Sequence, residues 1–135
     1  MGHPTIYPTG VTVYNPEKCW NGFTIFQALE VGAVLMNMNG RENKVWKGVH
    51  GFPNKLFPGG YLMTSRGSRD GRYGVQDGLD LVQIDWDGNV VWKFDRNEYI
   101  EDPGIPGRWM ARSHHDYQRE GSTTGYYAPG MEPKT

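Results

Sequence analysis

The chain holds 135 residues (15.3 kDa), room for one ordinary domain, with 14 basic against 15 acidic side chains, a formal net charge of −1 and a pI near 6.4. Nineteen glycines, nine prolines and 13% aromatics exclude a coiled coil, a helix bundle and a disordered tail, because glycine and proline break long helices while aromatic side chains supply the burial that offsets ordering entropy. The balanced charge argues against a nucleic-acid partner, which calls for a basic surface to neutralise phosphates.

In chain order, Met1 to Gly10 holds neither the basic nor the apolar part of a secretory signal, so no leader is expected there. Val11 to Tyr14 runs into the turn pair Asn15-Pro16. Cys19 is the one cysteine, so no disulfide forms within the chain, and beside Trp20 it reads as a small buried hydrophobe. Phe23 to Leu29 is rich in strand formers and far too short to cross a bilayer, so no membrane span is expected. Ala33 to Met38 ends in Asn39-Gly40, and Lys44 to Lys47 answers it. Lys55 to Phe57 meets Tyr61 to Thr64 across Pro58-Gly59-Gly60. Leu79 to Trp86 alternates, ends in Asp87-Gly88, and is answered by Asn89 to Phe94. Asn-Gly and Asp-Gly between apolar runs mark hairpins, since tight hairpin turns need positive φ. No window carries a helical period, and Glu98 to Pro106 reads as a loop or one helical turn.

The hairpins repeat. Val34 to Gly40 aligns with Val82 to Gly88, and Val45-Trp46-Lys47 with Val91-Trp92-Lys93 if the first copy carries two extra residues within Arg41 to Asn43. Lys55 to Gly60 then falls against Asp116 to Gly121. A period in the forties, made of short strands with a tryptophan closing one of them, is the signature of β-propeller blades, which bury their faces only against neighbouring blades. The expected fold is therefore all-β, with antiparallel blades of a β-propeller: leading strands over 1–30, a first repeat over 31–78, and a second repeat over 79–135 that is cut short. That is about two blades and a leading hairpin, to be completed by the rest of a longer chain or by further copies in a homo-oligomer.

The pointed segment is Trp109 to Glu120, with Arg112, His114, His115 and Asp116. On a strand, His114 and His115 would face opposite sides, with Arg112 and Asp116 sharing the side of His114. A cation and an imidazole on one face suit an oxyanion such as sulfate or phosphate. Arg66, Arg69 and Arg72 lie in a glycine-bearing loop that could cradle an anion or be a solvated connection. No metal site is expected: one histidine per face, a distant His50 and a single cysteine give no ligand spacing. Asp70, Asp77, Asp80 and Asp85 do not follow a calcium-loop spacing.

The stretches Gly10 to Phe26, Leu35 to Gly40 with Val45-Trp46, Lys55 to Leu62, Leu81 to Trp92, and His114 to Arg119 together resemble the arylsulfotransferase family, the bacterial aryl-sulfate sulfotransferases that use no nucleotide sulfate donor. The resemblance implies a six-bladed β-propeller with its site at the central channel. It implies a ping-pong reaction without a cofactor: a histidine takes a sulfuryl group from an aryl sulfate and a phenol receives it. His114-His115-Asp116 resembles an early channel motif that contacts the sulfuryl group, so His115 and His114 are the expected catalytic residues, with Arg112 and Arg66 as substrate contacts. The family's sulfated histidine comes from a later blade and matches no position here. Family members work in the periplasm or are exported. The alternative is a non-catalytic propeller-type module for binding or self-assembly.

Overall fold

The computed structural model describes residues 11, 13–74 and 77–117. Each turn signal with an apolar run on both sides has produced a hairpin. Strands β1 (Phe23–Ala28), β2 (Gly32–Asn37) and β3 (Glu42–Lys47) form one antiparallel sheet in chain order. Strands β4 (Lys55–Phe57), β5 (Tyr61–Thr64), β6 (Val82–Ile84) and β7 (Val90–Lys93) form a second. A helical turn, α1 (Gly71–Gly74), lies between β5 and β6. The described chain is thus all-β, with open antiparallel sheets. Asn15 closes the first turn, its backbone oxygen accepting from Lys18 N at 3.1 Å. Cys19 is half-buried, not buried as its neighbourhood in the sequence suggests.

A third sheet was not foreseen. Glu98 to Pro106 is neither loop nor helical turn: β8 (Glu98–Asp102) and β9 (Ile105–Met110) form a two-stranded antiparallel sheet around Pro103-Gly104. Its charges and prolines hide the strand signal. Pro106 is tolerated because a two-stranded sheet leaves outward-facing amide positions that need no partner.

The repeat is real, but its register differs from the sequence alignment. Asn37 N donates to Arg41 O (3.0 Å) and Asn37 Oδ1 accepts from the amides of Asn39 and Arg41. Asp85 does the same with Asn89 O (2.9 Å) and the amides of Asp87 and Asn89. Gly40 and Gly88 hold the equivalent left-handed position, with φ of 75° and 92°. Both hairpins then shift register at the same place, between Leu35 and Met36 and between Gln83 and Ile84. No insertion separates the copies. Lys44 therefore corresponds to Trp92, and Trp46 to Phe94, whose amide donates to Leu81 O as Trp46 pairs with Ala33.

This register decides the packing. Ala33, Leu35 and Trp46 on one face of the first sheet bury against Leu62, Val82 and Ile84 of the second, with Ile25 and Leu56 alongside. The opposite face of the second sheet carries Phe57, Met63, Leu81, Trp92 and Phe94, and these pack on Ala111 and Tyr117. Each repeat so offers its equivalent face to whatever follows it in the chain. A buried polar chain stitches the first joint: Thr64 Oγ1 donates to Asn54 Oδ1 (2.7 Å), Asn54 Nδ2 to Gln27 Oε1 (2.9 Å), and Gln27 Nε2 to Val49 O (2.9 Å).

Candidate functional site

The segment after β9 runs beside residues 78 and 79. Ala111 N donates to Leu79 O (2.9 Å), Arg112 N to Gly78 O (3.0 Å), and Gly78 N to Ser113 O (2.9 Å). The strand expected through the histidines does not form. Arg112 and His115 adopt left-handed backbone, with φ of 53° and 61°, and each reverses the alternation of a strand. The chain instead makes a tight turn in which Asp116 N donates to His114 O at 2.7 Å. His114 and His115 are consequently neighbours rather than opposites, their rings 4.1 Å apart and nearly perpendicular. His115 also lies 5.3 Å from the Phe52 ring. Left-handed backbone at residues with a Cβ carries a conformational cost that concentrates at functional positions.

The residue that organises this turn is Asp77, an aspartate weighed in the sequence only for calcium. Its carboxylate, 15% exposed, receives Arg69 Nη1 at 3.2 Å, lies 3.8 Å from Arg112 Nε, and meets His114 Nδ1 at 3.3 Å. Arg112 and His114 thus both approach one acid, although the strand expected to put them on one side does not form. Arg112 Nη1 also donates to Glu98 Oε2 at 2.9 Å, which ties the turn to β8. Asp116 turns away: its carboxylate pairs with Lys55 Nζ at 2.6 Å, and this cation holds its carboxyl below the usual range. The Tyr117 hydroxyl lies 2.6 and 2.7 Å from the carbonyl oxygens of Pro53 and Met63, and burial pushes its pKa up.

In the arginine-bearing loop each of the three guanidinium groups faces a carboxylate. Arg69 is forked between Asp102 (2.5 Å) and Asp77, and the Asp102 bond above all raises the guanidinium further. Arg72 pairs with Asp70 at 2.9 Å. Arg66 pairs with Asp80, its Nε at 2.8 Å from Oδ2 and its amide at 2.7 Å from Oδ1. Arg66 lines a cleft at the first sheet joint with Lys44, Lys47 and Asp87, and among the described residues no hydrogen bond or ion pair links it to His114 or His115. The structure brings together His114, His115 and Arg112, and sets Arg66 in separate surroundings. Asp77, Asp102 and Glu98 were missed; the signal for them was the need to neutralise closely spaced arginines.

The Arg69 bond holds the Asp102 carboxyl below the ordinary carboxylate range. A depressed folded-state pKa adds stability that is complete above the ordinary value and is lost as the pH falls through the folded one. Asp102→Asn therefore flattens the loss of thermal stability as the pH falls below about 5 toward about 2, measured as the melting midpoint at each pH.

Chemically, the 3.3 Å approach of His114 Nδ1 to Asp77 Oδ1 orients the ring, with Nε2 on its other edge. Among the described residues no group of three or more His, Cys, Asp or Glu side chains is arranged to hold a metal ion. Among them, too, no helix is long and apolar enough to cross a membrane. Comparison with family models, curated proteins and solved structures gives no match for this chain.

Proposed function

We propose that the chain forms the N-terminal part of an arylsulfotransferase-like β-propeller and supplies groups that hold a sulfuryl moiety in its channel. The carrying observation is the Asp77-centred turn, which fixes His114 beside Arg112 and sets the His115 ring against it. The repeated face-to-face packing of the sheets supports the blade reading. In this reading a histidine nitrogen forms a bond to the sulfur of an aryl sulfate. The sulfur–oxygen bond to the aryl group breaks, and the phenolate leaves with its electron pair and takes up a proton. A second phenol then gives up its proton and attacks the sulfur, and the nitrogen–sulfur bond breaks. His114 and His115 do not take the covalent role, because the sulfated histidine has no counterpart in this sequence. They donate to the sulfuryl oxygens, where a preorganised donor is worth about a hundredfold in rate. His115→Asn keeps a residue that tolerates left-handed backbone. In the full polypeptide it lowers turnover of 4-nitrophenyl sulfate by roughly a hundredfold or more. Unchanged turnover, or no transfer from any aryl ester by the parent, contradicts the proposal.

A second reading is favoured by one observation: Arg112 is already engaged by Glu98 and Asp77. On that reading the sheets serve stacking alone, and the chain is a binding or self-assembly module completed by further copies. A native mass measurement separates the two, since a defined ring of copies supports the module.

A further inference from the structure

We propose that the cleft at the joint of the first two sheets is a separate site for a phosphate-type oxyanion, free or as a monoester. The cleft has a volume of about 390 Å³ and is lined by Lys44, Trp46, Lys47, Arg66, Asp87 and Gly88, among others. That volume suits a small molecule.

Three cations line the cleft, and two of them, Arg66 and Lys44, are held in place. Asp80, itself 11% exposed, fixes Arg66 through Nε and the backbone amide. The two Nη groups of Arg66 carry no hydrogen bond among the described residues, and they are the pair that grips an oxyanion end-on. Lys44 Nζ rests over the rings of Trp46 and Trp86, at 5.8 and 5.3 Å, which positions it without neutralising it. Lys47 makes no ion pair among the described residues.

Asp87 gives the site its selectivity. It is the one acidic residue of the lining, and its carboxylate has no ion pair among the described residues. A carboxylate repels a fully ionised oxyanion, yet it accepts a hydrogen bond from one that keeps a proton. At slightly acidic pH phosphate and its monoesters keep a proton in a large share of molecules, their second pKa lying near 6. Sulfate and sulfate esters keep none. The cations thus attract both anions, and Asp87 discriminates between them by rejecting the partner that cannot donate. This site does not depend on the sulfuryl reading of the histidine turn.

The test is titration of the chain, followed by backbone amide NMR at slightly acidic pH and low salt. The probes are inorganic phosphate, phenyl phosphate and inorganic sulfate. The expected result is saturable shifts at Lys47, Gly48, Val49, Arg66 and Gly88, with phosphate about tenfold tighter than sulfate. Lys47→Met, at an exposed position, weakens phosphate by about tenfold, and Arg66→Met by at least as much. Asp87→Asn removes the preference over sulfate. If Arg66→Met fails to fold, Lys47→Met and Asp87→Asn still decide the matter. Equal binding of sulfate and phosphate by the parent, shifts centred on the histidines, or no saturable shift overturns the proposal. Phenyl phosphate tighter than inorganic phosphate identifies a monoester as the occupant, and the reverse identifies the free ion.

Discussion

Trp46→Ala lowers the stability of the folded chain by about 3–5 kcal/mol, as expected when a large buried aromatic is truncated at a packed joint. Trp46 is 4% exposed and lies in the cluster that joins the first two sheets. Its ring meets Trp86 edge-on at 5.3 Å, and its Nε1 donates to Asp85 O at 3.3 Å. The truncation empties a cavity, loses the edge contact and leaves the Asp85 carbonyl without that donor. Trp46→Phe restores most of the packing and costs roughly 1–2 kcal/mol, mainly through the lost donor. Urea denaturation of both variants checks this. Equal, small losses would mean that the two sheets do not depend on each other.

Asp77→Ala has its largest effect on the turn that carries the histidines. Arg69, Arg112 and His114 all converge on that one carboxylate, so its removal leaves three donors facing each other. Arg69 keeps Asp102 and Arg112 keeps Glu98, but the histidine turn loses its anchor. The expected outcome is hydrogen exchange at least tenfold faster at the amides of Gly78, Ala111 and Arg112, with the amides of β2 and β6 unchanged. Asp77→Asn, which still accepts from His114, recovers part of the protection. Uniform acceleration over the whole chain would assign Asp77 to general folding and not to the turn.

These two residues also mark what sequence reading could reach. Local turn chemistry was legible: Asn39-Gly40, Asp87-Gly88 and Pro58-Gly59-Gly60 each predict a hairpin because few residues satisfy the turn geometry, and each hairpin is present. The register of the repeat was not legible. Matching Trp46 to Trp92 is the natural choice by residue type, yet a register shift shared by both hairpins makes Phe94 the equivalent of Trp46. Side-chain identity is a weaker constraint than backbone register, because either aromatic fills the space between layers. The β8–β9 hairpin was hidden by its charges, two of which are used: Asp102 holds Arg69 and Glu98 holds Arg112.

In the candidate site, the sequence singled out Arg112 and His114 but not the acid, Asp77, that both approach. The histidine pair was not legible either. Strand parity places His114 and His115 on opposite faces, and only the left-handed backbone at Arg112 and His115 brings the rings together. Neither residue type advertises that conformation. Arg66 could be assigned to an anion from its charge, but its pairing with Asp80 depends on β5 and β6 lying side by side. Pairing across strands comes from the tertiary arrangement, which is why one arginine in the loop faces a cleft and another is locked between two carboxylates.

The proposed binding of an aryl sulfate at the turn anchored by Asp77 is open to side-chain nitrogen NMR of the histidines during titration with 4-nitrophenyl sulfate. The expected result is saturable movement of the ring signals of His114 and His115, abolished by Asp77→Ala, with His50 unaffected. Ring signals of His114 and His115 that stay fixed, or that move no more than those of His50, would contradict it.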